Sequence, residues 1–173
     1  MSRTRRLTLS AMLVALGALM VFIGRYVEIL DLALVIAASF LVAFSRIELG
    51  GAWPYLVYGA TALLSLLLAG FSFAVFAYLC FGGVYPLVKY PLERYLPRVL
   101  AYALKLTFAV LSVSALTALS LLVFGMSLRF GVPHLVLLAV LSLGVFLLYD
   151  YTLTRLSVRY FVSIRPRIAR FLK

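Results

Sequence analysis

Apolar residues gather into long runs, separated by short clusters of charge, glycine and proline. Reading the runs as helices and the clusters as turns predicts six spans, at about residues 7–24, 29–45, 52–69, 72–88, 99–124 and 133–154. Each approaches the roughly 20 residues that cross a bilayer's hydrocarbon core. The breaks have physical causes. Arg25, Glu28 and Asp31 end the first run, and Arg46, Glu48 and the Gly50-Gly51 pair end the second. Gly70 marks the third, the stretch from Pro86 to Pro97 the fourth, and that from Arg129 to Pro133 the fifth. Between the third and fourth runs only Gly70 and Ser72 interrupt an apolar stretch. A tight turn and a partly re-entrant segment would look alike there, so the count is six or five.

Composition decides what surrounds these helices. Sixty-six per cent of the 173 residues are hydrophobic, 12% are charged, and the mean hydropathy is +1.17. A soluble core of this size cannot bury so much apolar surface, so lipid must be the solvent for much of it. The expected fold is all-α, a polytopic membrane protein forming a compact bundle of about six transmembrane helices over residues 1–155, followed by a basic tail over 156–173. The length leaves room for six spans and their connections, with no soluble catalytic domain expected beside them.

Charge then sets orientation. The net charge of +11 comes from 16 lysines and arginines, placed at the ends of apolar runs rather than along a soluble stripe interleaved with aromatics, so nucleic acid is not the expected partner. With the amino terminus inside, Arg3, Arg5, Arg6, Arg46, Lys89, Arg94, Arg98, Lys105, Arg155, Arg159, Arg165, Arg167, Arg170 and Lys173 all become cytoplasmic, and only Arg25 and Arg129 fall outside. The positive-inside bias therefore places both termini in the cytoplasm and the chain in the cytoplasmic (inner) membrane as a multi-pass protein. The run after Arg3, Arg5 and Arg6 has the charge order of a signal peptide, but it is long and no small-residue cleavage site follows it cleanly; it reads as a retained first helix. Lys105 is expected to snorkel to the headgroups, and Trp53, Tyr55, Tyr90, Tyr95 and Tyr160 to sit at the inner interface. The tail, broken at Pro166, reads equally as a basic surface helix on anionic lipid or as a continuation of the last span.

Enzymatic constellations are missing. One histidine and one cysteine, Cys80, with no zinc-protease, serine-hydrolase or phosphate-loop motif, leave no candidates for those reactions, no disulfide and no expected cofactor or metal. Glu28, Asp31 and Asp150 are the plausible acids of a lipid-processing enzyme, but the topology sets the first two and the third at opposite faces. Asp150 reads as a partner for Arg155 or Lys105, ahead of the alternative of a functional proton or ion site. At the outer face Arg25, Tyr26, Glu28, Asp31, Arg129 and His134 could converge above the bundle and hold a small polar or zwitterionic solute. Each also has a plain reading as an interfacial anchor or helix-end residue.

Two segments suggest docking. The first helix carries Ala11-Met12-Leu13-Val14-Ala15, then Gly17 and Ala18, small residues that let another helix approach closely. From Phe81 to Tyr95 two glycines, two prolines and mixed charge predict a helix break and a rigid cytoplasmic elbow, with Tyr85, Pro86, Lys89, Glu93 and Arg94 as docking candidates. Six short helices, both termini inside, and Arg5-Arg6-Leu7-Thr8-Leu9-Ser10-Ala11 leading into the Ala-x-x-x-Ala strip resemble the substrate-binding S components of energy-coupling factor transporters. The resemblance covers the architecture throughout and a motif in the first helix alone. It implies a solute-binding subunit of a micronutrient transporter, with a small-molecule ligand near the outer surface. Ala11 and Ala15 would then dock a transmembrane coupling subunit that connects to ATPases. The alternative expectation is a non-transport accessory or scaffold protein whose tail and elbow recruit a partner or anionic lipid.

Overall fold

The computed structural model describes residues 3–27, 29–124, 132–160 and 162, and its regular structure is entirely helical. The chain divides into two compact units, Met1–Leu128 and Arg129–Lys173. The first holds α1 (Arg3–Tyr26), α2 (Asp31–Glu48), α3 (Trp53–Ala69), α4 (Phe73–Ala77), a π-helical turn (Tyr78–Gly82), α5 (Tyr85–Tyr95) and α6 (Arg98–Phe124). The second holds α7 (Val132–Arg159). With the passage from Phe73 to Tyr95 counted as one helix, the described residues form six helices, as expected from the apolar runs. Three of them, Arg3–Tyr26, Phe73–Tyr95 and Arg98–Val123, are long and apolar enough to cross a membrane, and α3 is a shorter apolar helix.

Glycine sets the sharp reversals. Gly50 and Gly51 have φ of 61° and 56°, in the left-handed region that side chains disfavour, and Gly70 ends α3 with φ of 61°. Ser72 then caps α4, its hydroxyl accepting from the Val75 N–H at 3.4 Å. The third and fourth apolar runs are thus two separate helices. Asp31 in the first turn of α2 and Arg46 in its last turn both oppose the helix dipole.

Boundaries moved where helical backbone continues past the apolar run. The first helix starts at Arg3, four residues before the predicted apolar run, and α7 runs on to Arg159. Unpaired backbone is costly near hydrocarbon, which favours carrying the helix through to its charged ends. The predicted elbow is itself helical: Pro86 stands in the first turn of α5, where its missing N–H costs nothing, and Pro91 is accommodated inside the helix.

The core of the first unit is built from small and branched side chains, among them Val21, Val35, Ala38, Val42, Ala62 and Val75, around Tyr78. α1 packs on α2 and α3 through Leu13, Gly17, Ala18, Val21 and Gly24. A Cβ on Gly17 would stand 3.0 Å from Thr61 Cγ2, so the missing side chain sets the α1–α3 approach. Three hydroxyls are met within their own helices: Ser39 donates to the Ile36 carbonyl at 2.6 Å, Ser45 to Val42 at 2.7 Å, and Thr117 to Val113 at 2.8 Å.

Candidate functional site

The helices of the first unit alternate in direction, which gives it two poles. Arg46 at the end of α2 lies over Tyr55 at the start of α3 and over Tyr90 of α5, and Glu93 of α5 bonds Lys105 near the start of α6. At the opposite pole Arg25, ending α1, donates to the Ala69 carbonyl at the end of α3. Arg3, Arg5, Arg6, Arg46, Lys89, Arg94, Arg98 and Lys105 belong to the first pole, and Arg25 alone among the described lysines and arginines of this unit to the second.

At the second pole the expected solute cluster comes together only in part. Arg25 caps the carboxyl end of α3 and lies 5.9 Å from the Tyr26 ring centroid; Tyr26 is exposed and packs edge-on against Phe22. Asp31 accepts from the Leu32 N–H at the head of α2. Both charged groups are thus engaged at helix ends. Glu28 and Arg129 lie outside the described residues, and His134 falls in the first turn of α7, its side chain outside the described set.

The small residues of α1 divide between two faces. Gly17 and Ala18 are buried against α2 and α3, whereas Ala11 and Ala15 are exposed on the outward face. Of the other docking candidates Tyr85, Pro86 and Lys89 are buried, and Glu93 and Arg94 reach the surface. Tyr85 stacks on Phe81 at 6.0 Å and meets Phe108 of α6 at 5.7 Å, which ties α5 to α6.

Glycine allows this packing. A side chain on Gly82 would stand 2.7 Å from Val35 Cγ1, and one on Gly83 would overlap the Tyr58 ring. The Tyr58 hydroxyl donates to the Leu79 carbonyl inside the π turn at 3.0 Å, and the Tyr58 and Tyr78 rings lie 5.9 Å apart. π turns inside helices often mark functional positions.

Beside this packing lies an ionic cluster. Lys105 Nζ bonds Glu93 Oε1 at 2.5 Å, and Lys89 Nζ stands 3.6 Å from the same oxygen. Both lysine side chains are buried, at 4% and 8% exposure, while Glu93 is 42% exposed. Lys105 therefore does not snorkel to headgroups but bridges α5 and α6, because a carboxylate on the neighbouring helix offers its ammonium a closer partner than water. On α7, Asp150 is buried, while Arg155 bonds the Tyr151 hydroxyl at 3.0 Å and lies over its ring.

Between α3, α5 and α6 lies a cavity of about 710 Å³. Tyr55 and Tyr58, Leu87 and Pro91, and Leu104 and Phe108 supply its walls from the three helices in turn, and Thr107 is the one aliphatic hydroxyl among the lining residues. Its volume suits a whole small molecule. Sequence reading assigned Tyr55 to an interfacial anchor and passed over Tyr58; the signal available was a pair of tyrosines three apart facing a glycine pair, Gly82-Gly83.

Comparison with protein-family models, with curated proteins and with solved structures returned no match.

Proposed function

We propose that this chain is a multi-pass protein of the cytoplasmic membrane, with both termini inside. In this reading it is a membrane-embedded binding subunit, like the S components of energy-coupling factor transporters, and joins a coupling subunit through α1. The observation that carries the reading is the outward position of Ala11 and Ala15 on a helix whose other small residues, Gly17, Ala18 and Gly24, are used up in internal packing. An alanine pair four apart on an exposed helix face admits a second helix at short range. The pole asymmetry of basic residues supports the orientation. The solute-binding part of the reading stands on the opposite pole, where Arg25 and Asp31 would form the rim.

Affinity purification from native membranes in mild detergent tests it. A transmembrane coupling subunit and ATPases should copurify in stoichiometric amounts and be lost when Ala11 and Ala15 are both changed to Leu. A solitary, folded protein from intact membranes would overturn the reading. It would favour instead an accessory protein that recruits lipid, for which Arg46 and Arg94 on aromatic rings at the basic pole are the supporting observation.

A further inference from the structure

The cavity between α3, α5 and α6 belongs to the basic pole and opens sideways. Tyr55, Leu104, Leu111 and Tyr95 line it and are themselves 51%, 41%, 63% and 76% exposed. Along α6 its lining runs from Leu104 to Leu111, two helical turns or about 10 Å of depth. Such walls offer hydrocarbon contact and few hydrogen-bonding partners, so water gains little by entering and an alkyl chain gains much.

The mouth has the opposite character. Arg46 lies 5.5 Å from the Tyr55 ring centroid and 5.0 Å from that of Tyr90, and it donates to the Gly51 carbonyl at 3.4 Å. Arg94 donates to the Tyr90 hydroxyl at 3.3 Å and lies 5.6 Å from the Tyr95 ring centroid. Two guanidinium groups thus flank one tyrosine beside the cavity, resting on rings that line it. Neither pairs with a carboxylate among the described residues, so both keep donors for an anion.

We propose that the cavity holds one acyl chain of an anionic phospholipid, with its phosphate on Arg46 and Arg94. Lipid supplies both halves of the complementarity at the right depth: hydrocarbon for the walls, and a phosphate at the interface where the arginines stand. The site stands independently of partner docking through α1, on a different helix set, so either can fail without the other.

The test uses the full chain in nanodiscs of equal phosphatidylglycerol and phosphatidylcholine, released into detergent and weighed intact by native mass spectrometry. Retained phosphatidylglycerol should exceed phosphatidylcholine on the order of tenfold. Leu104→Trp, projecting a larger side chain from a part-exposed position, should lose the retained lipid of both kinds. Arg46→Gln with Arg94→Gln should keep a retained lipid but bring the preference close to unity. Equal retention of the two lipids by the native chain, or an unchanged preference in the arginine variant, would overturn the proposal. So would full retention in a folded Leu104→Trp protein. Should that variant fail to fold, the arginine pair decides alone.

Discussion

The passage from Phe73 to Tyr95 and the helix α6 are both long and apolar enough to span a membrane, yet they live in different surroundings. In their most apolar 18-residue windows, 61% of the first is buried inside the protein against 11% of the second. The buried helix is the less apolar of the two by composition: it carries Lys89, two glycines, two prolines and a π turn, whereas α6 past Lys105 is largely leucine, valine and alanine. In a soluble protein the order would be reversed. Here protein neighbours can meet a polar group or fill the notch left by a glycine, and lipid can do neither, so irregular and polar residues concentrate where protein surrounds them. Of these two helices, the more apolar is the one less covered by protein.

The largest effect should come from filling the notch. Gly83→Leu would drive a side chain into the Tyr58 ring and against Tyr78, with both helices held by the α3–π-turn packing. Overpacking of this kind costs about 1–3 kcal/mol, with the upper end expected where a whole ring must move, and the variant should fail to give a monodisperse peak in fluorescence-detected size exclusion. Val110→Leu on α6, whose side chain is 60% exposed, should leave the melting profile within about 0.5 kcal/mol of the parent. Equal tolerance at the two positions would break the distinction between the helices.

Next in size is the ionic cluster, the charged feature that links the two helices. Glu93→Gln replaces the carboxylate shared by Lys89 and Lys105 with a neutral amide. Because Glu93 is 42% exposed, water relieves part of the loss, and we expect about 1–2 kcal/mol in a thermal-shift assay. Arg98→Gln, exposed at the start of α6, should shift nothing measurable.

How much of this was legible follows from the same contrast. Six helices and the turns at Gly50-Gly51 and Gly70 could be read because the helices coincide with long apolar runs and these reversals use glycine's positive φ. Continuation of α5 through Pro86 and Pro91 to Tyr95 could not: proline removes one donor, and whether the helix stops depends on what packs around it. Lys105 had the same difficulty, since an ammonium near a helix end either reaches for headgroups or finds a carboxylate on its neighbour, and Glu93 is twelve residues away in sequence. The division of α1 into Gly17 and Ala18 within and Ala11 and Ala15 without depends on which neighbours claim which face, which spacing alone leaves open.

A smaller effect is expected where the buried passage begins. Arg25 holds the Ala69 carbonyl just before the Gly70 turn that leads into α4. Arg25→Ala should cost about 1 kcal/mol, since the lost bond is charge-assisted but the arginine is exposed. Limited proteolysis should show the change as faster cleavage between Gly70 and Ser72. An unaltered cleavage rate would mean that the α3 terminus is held by its backbone geometry alone.

The smallest effects concern hydroxyls, and at one of them the sign reverses. On α6, which protein covers little, Thr107, Thr117 and Ser120 each donate to a carbonyl four residues back. In the buried region Ser65 Oγ has no hydrogen-bond partner among the described residues, whereas the Tyr78 hydroxyl faces the Thr61 side chain. A buried hydroxyl without a partner has lost its water and gained nothing, so Ser65→Ala should leave stability unchanged or raise it by up to about 1 kcal/mol. Thr117→Val, which deletes a satisfied but exposed group, should stay within about 0.5 kcal/mol of the parent. Tyr78→Phe, which removes the hydroxyl facing Thr61, should cost up to about 1 kcal/mol in the thermal-shift assay; if it costs nothing, the π turn is shaped around the Tyr58 ring and not around that hydroxyl pair.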